Sequence, residues 1–162
     1  MRKVGIVMGS DSDLPIVKKA TAALDTLKVP YEVHVYSAHR TPQEARDFAL
    51  RARKDGFGAI IAFAGMAAHL AGALAANTTV PVIGVPCSGG LAGGLDALLS
   101  TVQMPGGIPV ACVGVDNGKN AALLAAEILA VADADLAAAL DAQRAEAAAG
   151  VLVKDAGIAD RL

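Results

Sequence analysis

Between Gly56 and Val115, sixty consecutive residues carry only one Asp, Glu, Lys or Arg side chain, that of Asp96. With a mean hydropathy of +0.49 for the whole chain, a membrane span is the first possibility to test. The texture argues against it. His69, the polar run Asn77-Thr78-Thr79, Pro81, Pro86 and repeated glycines leave no uninterrupted apolar run of about twenty helix formers. The stretch reads as the interior of a globular domain, and no membrane partner is expected.

Hydrophobic periodicity says what kind of interior. Short β-type runs at Lys3–Met8, Tyr31–Tyr36, Ala59–Phe63, Val80–Val85 and Ile108–Val113 alternate with helical patterns at Leu14–Leu27, Thr41–Lys54, Ala67–Ala76, Leu95–Val102 and Asn120–Ala132. The second helix has Thr41 as its expected N-cap, Pro42 in the first turn and Glu44 at the capping-box position. Strands that are apolar at consecutive positions and separated by helices call for a parallel sheet covered on both faces. The expectation is an α/β fold, a flavodoxin-like three-layer sandwich of strand order 2-1-3-4-5, built as a single domain over residues 1–162. Ligands of such sheets sit at the carboxyl ends of the strands, where strand order reverses. That points to the loops after strands one, two and three.

The segment 133–150 is mostly alanine, with few large apolar groups to hold a helix on its own domain. Two placements follow: packing on a neighbouring subunit, or an ordinary surface helix. Lys and Arg total 14 against 16 Asp and Glu, aromatics make up 3% and Trp is absent, so neither a basic surface nor stacking rings mark a nucleic-acid partner. The apolar run Val4–Met8 is too short for a secretory signal, so the expected location is cytoplasmic and Cys87 and Cys112 are expected as reduced core thiols. Cys and His lack metal-ligand spacing.

Three loops carry protic side chains. After strand one, Gly9-Ser10-Asp11-Ser12-Asp13 offers hydroxyls and amides at a helix start, suited either to an anion or to plain capping. It is neither a dinucleotide fingerprint nor a phosphate-binding P-loop, because the required glycine and lysine spacings are missing. Two carboxylates would repel a phosphate, so Asp13 is better used on sugar hydroxyls or a base. After strand two, Ser37, His39 and Arg40 combine anion recognition with an imidazole able to give and take protons near neutral pH. After strand three, Gly65 to His69 consists of small residues, Met66 and one imidazole, letting a ligand approach the backbone and the N–H groups of the next helix. His69 reads equally well as a ligand contact or a packed histidine, while His34, alternating with Val33 and Val35, is expected to pack or face solvent. These residues describe a phosphate-bearing small molecule in a largely uncharged pocket, with one histidine moving protons.

The runs GSDSD at 9–13, SAHRTP at 37–42, AGMAAHL at 64–70, PVIGVP at 81–86 and LDALLSTVQMPGGIPVA at 95–111 together resemble the PurE family of purine biosynthesis, over residues 3–150. The resemblance implies interconversion of N5-carboxyaminoimidazole ribonucleotide and 4-carboxy-5-aminoimidazole ribonucleotide, with no cofactor and no metal. By position, His39 would be the catalytic histidine, and Ser10, Asp13 and Arg40 would bind the ribonucleotide substrate. Ser12 and Ser37 would join Arg40 around the phosphate, and Gly65, Ala68 and His69 would line the imidazole and carboxylate. It also implies a homo-octamer with sites at subunit contacts, in keeping with the helix at 133–150 lying on a neighbour. The AAHL and VQMP segments are similar to the mutase class of the family. Direct carboxylation of aminoimidazole ribonucleotide by CO2 is the alternative, and a non-catalytic nucleotide-binding module is the rival from another class.

Overall fold

The computed structural model describes residues 1–161. Five strands, β1 (Lys3–Met8), β2 (Tyr31–Val35), β3 (Phe57–Gly65), β4 (Val82–Cys87) and β5 (Ala111–Cys112), form one parallel sheet in the order β2-β1-β3-β4-β5. Six helices connect or follow them: α1 (Leu14–Thr26), α2 (Pro42–Arg51), α3 (Leu70–Ala75), α4 (Leu95–Val102), α5 (Gly118–Ala130) and α6 (Ala134–Ala156). The strand order and the two helical layers are those expected of a flavodoxin-like α/β fold. Among the described residues, no helix is long and apolar enough to cross a membrane.

The charge-poor stretch supplies the middle of this sheet. Ala59 to Phe63 of β3 and the whole of β4 are buried, because both faces are covered and every position must be apolar or small. On one face Ile6, Ile61, Phe63 and Ile83 pack against Leu24 of α1 and the alanines of α5. On the other, Val7, Ile60 and Ala62 meet Phe48 of α2 and Leu74 of α3. β2, at the edge, stays half exposed.

Register positions the site. Met8 lies opposite both Val35 and Phe63, so the loops leaving β1, β2 and β3 emerge level with one another. Farther along, Gly65 pairs with Cys87, which brings the end of β4 to the same rim.

Several boundaries differ from expectation. β5 is confined to Ala111–Cys112 rather than Ile108–Val113, since Pro109 has no amide for the ladder and Gly106-Gly107 turns just before it, with Gly107 at φ 91°. Past the strand, Val113 N–H still donates to Gly84 O at 3.2 Å and Asp116 N–H to Pro86 O at 2.9 Å, so the chain follows β4 to the rim. Thr41 occupies the N-cap position of α2 but makes no side-chain cap; its hydroxyl accepts the Ser37 amide at 2.8 Å instead. α3 starts at Leu70 rather than Ala67. α6 begins at an Asp133 cap on the Leu136 amide and runs on to Ala156, beyond the expected end at Gly150. Leu136 and Leu140 bury its first turns on their own domain, Arg144 pairs with Glu127 of α5, and farther on Val151, Leu152 and Val153 are exposed.

Candidate active site

The level loops enclose a cavity of about 830 Å³ at the carboxyl ends of the strands. Ser10, Ser12, Asp13, Ser37, His39, Arg40, Gly65 and His69 all line it. Ala68 does not line it and is buried.

The first loop closes as a short 3-10 turn, Asp11–Asp13, capped by Ser10, whose Oγ accepts the Ser12 amide at 3.3 Å. Ser10 thus caps this turn, whereas Asp13 makes no cap bond although it stands at the start of α1. Its carboxyl is pushed above the usual carboxylate range, chiefly by burial and further by the charge of Asp116, with hydrogen bonds from Ser12 and Cys87 partly opposing the shift.

Ser37 organises the second loop. Its Oγ accepts the amides of His39 at 3.3 Å and Arg40 at 3.1 Å, which sends both side chains toward the rim. Arg40 Nη2 donates to Gly9 O at 2.9 Å, tying the second loop to the first and leaving a guanidinium against the Ser10–Ser12 turn.

His69 crosses from the third loop to meet His39. Nε2 of His39 and Nδ1 of His69 are 2.6 Å apart, with the rings nearly perpendicular at 89°. The third loop turns sharply: Met66 has φ 55°, Ala68 N–H donates to Met66 O at 2.9 Å and His69 N–H to Ala67 O at 2.8 Å. Those two amides are thus occupied within the loop, unlike the free donors expected there, because the left-handed residue folds the chain back on itself. His34 is absent from the cavity and stacks on Tyr36, with ring centroids 5.0 Å apart.

The far wall of the cavity comes from outside the three protic loops. Ser88, Gly89 and Asp116 also line the cavity, with Ser88 N–H donating to Asp116 Oδ1 at 2.8 Å. The signal available was that Asp116 is the residue at which charge returns after Val115. Cys87, read as core, is buried at the end of β4, and burial with the two nearby carboxylates, Asp13 and Asp116, pushes its thiol up to about 12. It is a neutral thiol at working pH. Among the described residues, no three His, Cys, Asp or Glu side chains are gathered as a metal ion requires.

A family model described as AIR carboxylase matches residues 3–149. The chain belongs to the AIR carboxylase family. Within this family it is 59% identical over 131 residues to the N5-carboxyaminoimidazole ribonucleotide mutase of Pyrococcus abyssi, covering 81% of this chain and 75% of that protein. The protein of the same name from Bacillus subtilis is 54% identical over 143 residues, covering 87% and 88%. The phosphoribosylaminoimidazole carboxylase of Saccharomyces cerevisiae is 54% identical over 130 residues, which are 80% of this chain but 23% of that protein. Among solved structures, Treponema denticola PurE superposes with a TM-score of 0.86 at 29% identity, covering 94% of this chain and 96% of that one. The AIR carboxylase fold accounts for the whole five-stranded sheet.

Proposed function

We propose that this chain is an N5-carboxyaminoimidazole ribonucleotide mutase of purine biosynthesis, an isomerase yielding 4-carboxy-5-aminoimidazole ribonucleotide. The observation that carries the mechanism is the 2.6 Å His39–His69 contact in the lining of a cavity that Arg40 also lines. In this mechanism the bond from the exocyclic nitrogen to the carboxylate breaks, CO2 leaves, and the nitrogen takes a proton from His39. Ring carbon C4 then attacks the retained CO2, and His39 recovers a proton from C4. One imidazole thus serves both transfers and ends as it began.

Recognition divides along the cavity. Arg40, Ser12 and Ser37 would meet the phosphate, with Ser10 shaping their turn. Asp13 would accept from sugar hydroxyls or the exocyclic amine. Gly65 and His69 would stand against the imidazole and carboxylate, with Ala68 buried in the same loop. The small apolar residues of the third loop give CO2 a dry wall, which keeps it beside the ring.

The second reading, direct carboxylation of aminoimidazole ribonucleotide, has support in the 54% identity to the yeast carboxylase. The mutase reading is favoured because the Bacillus subtilis mutase matches over nearly its full length. Purified protein offered each substrate separately tests the choice. Turnover of the N5-carboxy compound at low bicarbonate is expected, and turnover of aminoimidazole ribonucleotide alone would overturn it.

A homo-octamer in the cytoplasm belongs to the same proposal. Its support is the exposed apolar strip Leu91, Leu95, Leu99 and Val102, together with the exposed part of α6 bearing Val151 to Val153. Light scattering should give a mass near eight chains, and a single chain of 16.2 kDa would exclude the assembly.

A further inference from the structure

Asp116 sits where three features of the fold converge. The chain leaving β5 stays on β4 through the bond from Asp116 N–H to Pro86 O, 2.9 Å, and turns there with Asp116 at φ 56°, a left-handed geometry that Asp and Asn accept better than most residues. The carboxylate reaches back to Ser88, 28 residues earlier, and Oδ1 accepts its amide at 2.8 Å. Gly89, the next residue, has φ 114° and with Ser88 forms the cavity wall. An acidic residue is an expensive way to hold one amide in a cavity for an anionic ligand, since an uncharged acceptor would do the same.

We infer that Asp116 is a positioning residue for the nucleotide cavity: it pins the Ser88–Gly89 wall through the Ser88 amide, and its charge faces Asp13 with the Cys87 thiol beside both. Asp13 is met by Ser12 from its own turn, by Cys87 from β4 and by Asp116 from the loop after β5; the cation Arg40 is engaged on Gly9 O. Among the described residues, Asp116 is the carboxylate whose charge acts on Asp13, reinforcing what burial does. Asp13 then works as an acceptor whose proton affinity, raised first by burial, is raised further from the loop after β5.

This inference rests on the mutase reading only for its assay. Asp116→Asn keeps an acceptor for Ser88 and a tolerated backbone while removing the charge. The acid limb of its kcat/KM profile is expected to move to lower pH, because Asp13 ionises more readily without a neighbouring anion. A carbon-13 NMR titration of the Asp13 carboxyl should move the same way. Asp116→Gly keeps the backbone but removes the acceptor, and its KM should rise roughly tenfold as the wall loosens. Superimposable pH profiles and Asp13 titrations for parent and Asp116→Asn overturn the inference. A parent that turns over neither nucleotide overturns the mutase reading instead, and the NMR titration still decides whether Asp116 governs Asp13.

Discussion

Nε2 of His39 lies 2.6 Å from Nδ1 of His69, although the two residues come from different loops on different strands. A contact this short between ring nitrogens requires one N–H and one lone pair, so the two rings share a proton-bearing axis. Replacing His39 by Asn keeps a polar side chain but not one that exchanges protons near neutral pH. Turnover should fall by about 10²–10⁴-fold, while calorimetry shows the nucleotide still binding. Parallel loss of binding would make His39 a ligand contact only.

Arg40 spends one nitrogen on Gly9 O and presents the rest of its fork to the cavity. Arg40→Ala removes a charge-assisted donor, which is worth about 1.5–3 kcal/mol. Affinity for the phosphorylated ligand should weaken by roughly ten- to a hundredfold, and the dephosphorylated nucleoside should bind parent and variant alike. Equal affinity of both proteins for the nucleotide would remove Arg40 from the phosphate.

Asp13 has a raised folded-state pKa, so its ionised form is penalised in the native protein. Below the ordinary value of 3.8 both states are protonated and no penalty exists. As pH rises through the window between that value and the raised one, the native state holds more protons than the unfolded state, and stability is lost. Asp13→Asn should therefore melt higher than the parent at neutral pH, with the gap closing in acid, while activity falls. A gap independent of pH would mean that the gain does not come from the carboxyl's charge.

Gly118 opens α5 where α1 crosses it, and a Cβ there would come 2.4 Å from the Ile16 carbonyl oxygen. Backbone cannot step aside as a flexible side chain can, so Gly118→Ala must separate the two helices, at a cost of about 1–3 kcal/mol. Denaturant melts should show that loss. Because Ile16 lines the cavity and Asp116 lies two residues before Gly118, KM should rise as well.

The sheet order and the three protic loops were legible because each is written in contiguous residues: apolar runs for strands, and GSDSD, SAHRTP and AGMAAHL for the turns between them. Ala68 was legible as part of its loop but not as buried, since alanine gives no sign of which way it points. Ser88 and Asp116 were not legible as partners, because they meet only after β4 and β5 lie side by side. The Thr41 cap failed for a related reason. Its hydroxyl had a second acceptor-seeking amide in reach, that of Ser37, and the tight loop won.

The central position of β1 has a consequence for how the chain reaches its native state. β1 pairs with β2 through a local crossover, but its other edge stays open until Phe57 to Phe63 arrive, and β3 in turn waits for β4. The segments that arrive late belong to the uncharged stretch, which has almost nothing to deter pairing with another chain in the interval. Refolding yield should thus depend on protein concentration, and a growing polypeptide on the ribosome, completing β1–β2 before β3 emerges, passes through its most adhesive stage while its neighbours are kept at a distance.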